Sequence, residues 1–437
     1  MECIFTRSRN RIQLLFTILY LSSFLNTVTT TTTHLMYVDP KFSSVSFFPR
    51  ICGQVNTDTD AVFFNRTSSG HNLQDWFHKC SYGKTVFEPN ENIIIRDAPI
   101  FGCTNATTTQ YNWRWPTCTD NFTWDIYNTI VQYFRNTLQL SFNNHKRIAM
   151  FLPSGGRCSW SGLAMLNCPN PPCGTWMMGT DVMLMAHEFG HTMGLQHATS
   201  DDAEYGDSSD AMGSGNSLRC LNAVYSSQLG WSLPILVLNA QTQTQTQTQL
   251  HGRWIQYQLP PMQLNDTNHI RIDGVRWDGL LQWTSMFISF RARVGYDSGL
   301  LWLYDNKVSI HIVNAQGKSD LIAILDQGGF LNIPFRPSTL PRVIIERIER
   351  NRLAVIRVCL GGTILCGSPP PSPLSIKRPP PPSPLSIKRP PPPSPPRPSS
   401  RPPPPSPLSI KRPPPSPPRR ICGCSTPTIM KWVQFKY

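Results

Sequence analysis

The segment Ala186-His187-Glu188-Phe189-Gly190-His191-Thr192-Met193-Gly194-Leu195-Gln196-His197 holds three histidines and one glutamate at spacings that suit a metal site. His187 and His191 are four apart, so on a helix both imidazoles project from one face and can offer two nitrogens to one ion. Glu188 is positioned for a water on that ion and not for the ion itself. Gly194 can adopt a backbone conformation closed to other residues, which stops the helix and turns the chain. His197 then returns as the third ligand. Three neutral imidazoles with a fourth position open to water favour zinc (Zn2+) in a catalytic rather than a structural site. The chemistry is hydrolysis, with Glu188 as the general base.

Residues 181–186 ahead of the motif are apolar enough to bury the other face of the helix. Downstream, Met212-Gly213 follows His197 by 15 residues, a workable return distance for a methionine that packs in a tight turn beneath the histidines.

The elements that must position these groups are mixed. Residues 45–52, 93–95 and 147–152 read as strands, and 71–80 and 124–140 as helices, the latter from Ile126, Ile130, Tyr133, Phe134 and Leu138 at helical spacing. Alternation of helix and strand implies a layered sandwich over residues 40–232. Runs at 235–238, 254–259, 286–294, 308–313, 321–325 and 342–359 are β-branched or alternating, which makes 233–367 an all-β module. The Gln-Thr repeat at 241–249 reads as a loop within it. The fold class is α+β.

Two further segments are not globular. Residues 369–420 hold 26 of the 42 prolines and ten Lys or Arg with no acid, and repeat Pro-Pro-Pro-Ser-Pro-Leu-Ser-Ile-Lys-Arg. Proline lacks an amide donor and fixes φ, so this tail (368–420) reads as polyproline II, with a reach of roughly 160 Å at about 3.1 Å per residue. It also carries most of the net charge of +14. The remaining chain is close to neutral, which excludes nucleic acid as a partner. The basic rod suits an anionic matrix polysaccharide. Residues 421–437 carry no assignment.

Arg7, Arg9 and Arg11 precede an apolar run from 12 to 25. This is a secretory signal peptide over 1–30, too short to span a bilayer, and it leaves no membrane segment after cleavage. Twelve cysteines follow it, an even number that implies disulfides in an exported chain, with the pairing left open. Sequons at Asn65, Asn105, Asn121 and Asn265 are glycosylation acceptors in that setting. His34, His71, His78, His145, His251, His269 and His311 read as surface or core residues, and Trp113 and Trp115 as core. Asp201, Asp202, Asp207 and Asp210 read as a solvated acidic loop in preference to a calcium site.

Both motifs match the metzincin clan of zinc endopeptidases. Cys80-Ser81-Tyr82-Gly83-Lys84, Phe151-Leu152-Pro153 with Cys158 and Trp160, and Tyr205-Gly206-Asp207 ahead of Met212-Gly213 resemble the gametolysin family. The resemblance covers roughly residues 45–360. It implies a metzincin-like catalytic domain with a mixed sheet and an active-site helix, and a secreted metalloprotease of the green-algal type that degrades cell-wall and extracellular-matrix glycoproteins. Some members have Gln at the place of His187 and are linked to copper; His187 restores the zinc set. The tail resembles hydroxyproline-rich segments of volvocine matrix proteins. A competing reading is a structural matrix glycoprotein carrying an inactive protease domain, against which stand the intact His187, Glu188, His191 and His197.

Overall fold

The structure is a computed structural model. It describes residues 40–367 except 59, 65–70, 102–117, 119, 142, 154–157, 169, 202, 216, 240–251, 277–282, 314–316, 332–340 and 361–365. Residues 1–30, read above as a signal peptide, the Pro-rich tail, residues 421–437 and the Gln-Thr repeat lie outside the described residues, as do His34, Asn65, Asn105, Trp113, Trp115, Asp202 and His251. The described residues belong to one compact unit, mostly sheet with few helices.

Strands β1 (Ser44–Ile51), β2 (Asn92–Phe101), β3 (Arg147–Phe151), β4 (Gly162–Ala164) and β5 (Cys173–Met177) form a sheet in the order β2-β1-β3-β5-β4. The first four in that order run parallel, and β4 is the antiparallel edge. β3 and β5 are buried at every position, as a parallel sheet covered on both faces requires. The covering helices are α1 (Leu73–Cys80), α2 (Asp120–Asn136) and α3 (Val182–Thr192). Ile126, Ile130 and Phe134 of α2 pack on Val45, Phe47, Ile148 and Met150. On the opposite face Trp76 and Phe77 of α1 and Met185 and Phe189 of α3 share a core with Phe48, Ala149 and Phe151. α2 starts a turn earlier than the apolar spacing predicts, at Asp120.

Strand β6 (Thr199–Ser200) and helix α4 (Ala223–Gln228) lead to β7 (Leu233–Asn239), β8 (Ile255–Leu259), β9 (Thr267–Arg276), β10 (Trp283–Arg291), β11 (Lys307–Val313), β12 (Ser319–Leu325), β13 (Arg342–Glu349) and β14 (Leu353–Cys359). A six-stranded sheet runs β6-β12-β11-β10-β9-β7, and a three-stranded sheet β13-β14-β8 packs on it. Met286, Ile288, Phe290 and Ile310 face Leu259, Val343, Ile345 and Ile356 across this sandwich. The period of two sends the alternate residues of β10 the other way: Phe287 joins the core around α3, and Ser289 and Arg291 are buried on that same side. β6, from the segment before the β-rich module, pairs in parallel with β12. The run at 342–359 is two strands and not one, because Asn351 at φ 57 closes a turn between them.

Disulfides Cys80–Cys220, Cys118–Cys158, Cys168–Cys173 and Cys359–Cys366 are present. Cys80–Cys220 ties the end of α1 to the chain just past Met212. Among the described residues no helix is long and apolar enough to cross a membrane.

Candidate active site

Asp181 starts α3: its carboxylate accepts from Met183 N at 2.8 Å and Leu184 N at 3.1 Å, satisfying two of the orphan amides of the first turn. Met183, Met185, Ala186 and Phe189 hold the helix down. His187 and His191 then share one face, with ring centroids 4.8 Å apart. The helix ends at Thr192; Gly194 at φ 92 turns the chain, and Leu195 N donates back to Gly190 O at 3.0 Å. His197 returns to 4.8 Å from His191 and 5.4 Å from His187, ring to ring. One ligand-capable atom of each histidine lies within 4.8 Å of the others.

Each imidazole is oriented through Nδ1. That nitrogen of His187 lies 2.9 Å from Ala211 O, that of His191 lies 2.8 Å from Leu195 O, and that of His197 lies 2.6 Å from Glu204 Oε1. These oxygens only accept, so Nδ1 carries the proton in all three rings, and Nε2 keeps its lone pair for an ion. Burial pushes His187 down to about 4 and His191 to about 3, and it lowers His197 as well, against the pull of Glu204. All three are therefore neutral at pH 7, as ligands must be.

Glu188 is 4 % exposed and burial raises its carboxyl to about 8. The edge strand β4 lies directly on it: a Cβ on Gly162 would sit 2.2 Å from Glu188 Oε1. Met212 is fully buried, and a Cβ on Gly190 would meet its Sδ at 2.4 Å. The glycine between the first two histidines is thus what lets the methionine pack beneath them. The ring of Tyr205 lies tilted against His197 at 3.8 Å and stacked on His187 at 5.8 Å, centroid to centroid. A cleft of about 290 Å³ runs from the histidines past Leu163, Leu166, Gln196 and Lys318. Another of about 520 Å³ runs past Trp160, Met178, Met183 and Leu184. The two meet where Gly162 and Tyr205 flank His187 and Glu188.

The family model for gametolysin peptidase M11 matches residues 41–324, which takes in the first sheet, all three histidines and the second sheet as far as β12. The chain belongs to the gametolysin peptidase family. It is also similar to a protein named autolysin from Chlamydomonas reinhardtii, 28 % identical over 314 residues, covering 56 % of this chain and 49 % of the relative. The chain thus spans about half the length of that curated relative.

Within this gametolysin-family chain the aspartates after His197 correct the sequence reading. Asp207 and Asp210 are completely buried, not solvated, and among the described aspartates of this set Asp201 alone is exposed. Asp207 accepts from Ser209 N and Oγ at 3.0 and 2.6 Å, from Asn222 Nδ2 at 3.1 Å and from His311 Nε2 at 3.0 Å. Asp210 accepts from Met212 N at 2.6 Å and from Asn222 N. Burial would push Asp207 up, but these hydrogen bonds and the charge on His311 outweigh it and hold it below the usual carboxylate range, whereas burial and the charge on Asp207 raise Asp210. Arg291, ion-paired to Asp297 at 2.9 Å, donates to Ser209 O at 2.9 Å. The turn that carries Ala211 O and Met212 is therefore clamped by side chains of β10 and β11. His311 and His269 are both core residues, at 0 % exposure.

His311→Leu removes one partner from a fully buried carboxylate, a change worth about 3 kcal/mol. The expected result is a lowered midpoint in urea unfolding, partly recovered by His311→Gln, which retains an N–H donor. A loss below about 1 kcal/mol would mean that the clamp does not depend on His311.

Sequence reading did not pick out Gly162, Gly190, Glu204, Tyr205 or Lys318 as site residues. Tyr205 was visible only as part of a family string, and Glu204 only as an acid next to it. Of the sequons, Asn265 is exposed, with Oδ1 accepting from Thr267 N at 2.9 Å. Asn121 falls in the first turn of α2.

Proposed function

We propose that the chain is a secreted zinc endopeptidase that cleaves hydroxyproline-rich glycoproteins of a cell wall or extracellular matrix. The observation that carries the reading is the convergence of three neutral imidazoles, each with Nδ1 engaged and Nε2 free, beside the buried carboxylate of Glu188. The donor set fits zinc: nitrogen only, neutral, three-fold, with solvent reaching the site along two clefts. His187, His191 and His197 would hold the ion, which supplies a Lewis acid for the scissile carbonyl and acidifies a water.

The rest is the work of the chain. β4 is a short edge strand whose outer side faces the clefts, so an extended peptide can pair with it backbone to backbone. That pairing draws the scissile bond past Gly162, directly over Glu188. Glu188 takes a proton from the attacking water and delivers it to the leaving amine. Ala211 O, Leu195 O and Glu204 keep the three rings from rotating. Tyr205 braces His197, and Met212 braces the helix at Gly190.

The family assignment supports a peptidase, and the relative's name, autolysin, fits an enzyme that acts on its own organism's structures. Export rests on the signal-like first 30 residues, and the matrix substrate on the likeness of the tail to hydroxyproline-rich matrix proteins. The direct test incubates the purified chain with isolated matrix glycoprotein, with and without a zinc chelator. Chelator-sensitive fragmentation is expected; fragmentation that ignores the chelator would contradict the metal mechanism.

The tail anchors and does not catalyse. Its repeats have no apolar face to bury, and ten Lys or Arg on an extended rod attract an anionic polysaccharide in a salt-sensitive way. Deleting 369–420 is expected to leave turnover of a small peptide unchanged and to lower retention on isolated matrix. Equal retention, or a large fall in turnover, would contradict this role.

A further inference from the structure

His197 differs from the other two histidines in what holds it. His187 and His191 sit on α3, and their rings bear on the carbonyls of the buried residues Ala211 and Leu195. His197 lies past the end of that helix, and its ring partner Glu204 has a side chain 62 % exposed, where water competes for the carboxylate. The backbone supplies the firmer hold. Ala198 N, next in the chain, donates to Met212 O at 3.0 Å. The carbonyl of His197 itself accepts from the hydroxyl of Tyr225 at 3.0 Å.

Tyr225 lies in α4 and is fully buried. Asn222 caps that helix, its Oδ1 accepting from Tyr225 N at 3.1 Å, so the phenol is presented from a fixed turn. Its hydroxyl reaches a second segment, accepting at 3.1 Å from the N–H of Ser319, the first residue of β12. That N–H can only donate, so the phenolic proton goes to His197 O. Ser319 is clasped from other sides as well. Thr199 Oγ1 donates to its carbonyl at 3.0 Å, and Asn222 Nδ2 donates to its hydroxyl at 2.9 Å. β6, which starts two residues past His197, pairs with β12, Asp320 opposite Thr199. One phenol thus joins the third histidine to the β-rich module.

We propose that Tyr225 is a positioning residue for the third ligand: its hydroxyl pins the backbone of His197 to β12, and through it the β-rich module sets how tightly the site retains zinc. This rests on the metal reading above and adds to it a residue outside the histidine motif. Loss of an outer partner of a metal ligand costs about 10–100-fold in metal affinity. Tyr225 acts on the main chain and not on the ring, so the lower end of that range applies. Tyr225→Phe keeps the packing of the ring and removes both hydrogen bonds.

Tyr82 supplies a matched control. Its hydroxyl also donates to a carbonyl, Met262 O at 2.6 Å, and accepts an N–H, from Asn268 Nδ2 at 2.8 Å. It too ties the first part of the chain to the β-rich module, but neither bond involves a metal-binding histidine.

The test compares wild type, Tyr225→Phe and Tyr82→Phe in the full chain. Urea unfolding establishes that each is folded, and competition with a chromogenic chelator gives the dissociation constant for zinc and the rate of its transfer. Tyr225→Phe is expected to raise the constant about tenfold and to speed transfer, with Tyr82→Phe near wild type in both. An unchanged constant in Tyr225→Phe, or an equal rise in Tyr82→Phe, would overturn the positioning role. If Tyr225→Phe does not fold, Thr199→Val, which removes one bond of the same clasp on Ser319, takes its place. It is expected to weaken zinc binding by a smaller factor, and unchanged binding would overturn the role. Wild type that binds no zinc would overturn the metal reading and this role with it.

Discussion

Glu188→Gln is expected to abolish proteolysis and leave the metal in place. The amide keeps the size and shape of the carboxylate but cannot accept a proton from water. General-base catalysis of this kind is worth about 10²–10⁴-fold in rate, and because Glu188 is the one carboxylate among the described residues that lines both clefts a loss of about 10³-fold in kcat is expected. The substitution is gentle on the fold, because burial already disfavours the charged form and raises Glu188 to about 8. A dication held by His187, His191 and His197 would pull the other way and would keep the carboxylate available at neutral pH. The measurements are turnover of a fluorogenic peptide and metal content on the same preparation. Activity above a few per cent of wild type would place the base elsewhere.

Gly162→Ala is expected to cut kcat/KM by about 10²-fold, the scale of a 1 Å misplacement at a reacting centre. The added Cβ would sit 2.2 Å from Oε1, 2.5 Å from Cδ and 2.7 Å from Cγ of Glu188. Either the carboxylate swings off the path of the scissile bond or β4 backs away from it, and both separate base from substrate. β4 is only three residues long and lies at the sheet edge, so the fold absorbs the change, and thermal stability and metal content are expected to hold. Leu163→Ala, next in the strand and 40 % exposed, serves as control and is expected to cost far less. Near wild-type turnover by Gly162→Ala would show that Glu188 is not held against β4 during catalysis.

What the sequence made legible was local. His187 and His191 are brought together by the helical period, and Gly194 and His197 by the turn that ends the helix. The sandwich was legible because strands buried on both faces read as continuous apolar runs. The contacts that orient the rings were not, because Ala211 O and Leu195 O are backbone atoms that leave no mark in residue type. The aspartates misled for a similar reason. Four aspartates in ten residues look solvated, and what buries Asp207 and Asp210 is Asn222, Arg291 and His311, as much as 104 residues away. β13 and β14 read as one strand because no glycine or proline marks the turn; Asn351 alone takes the left-handed conformation there. β9 and β5 escaped notice because polar residues such as Asn268, His269 and Arg271, and the short Cys173–Met177 segment, dilute the strand signal.

The most direct measurement is elemental analysis of the purified full chain beside its His187→Ala/His191→Ala variant. About one zinc per chain in the wild type, lost in the variant together with peptide hydrolysis, is expected from three neutral nitrogen ligands. No stoichiometric metal, stoichiometric copper, or zinc that remains when both histidines are gone would contradict the assignment of this site.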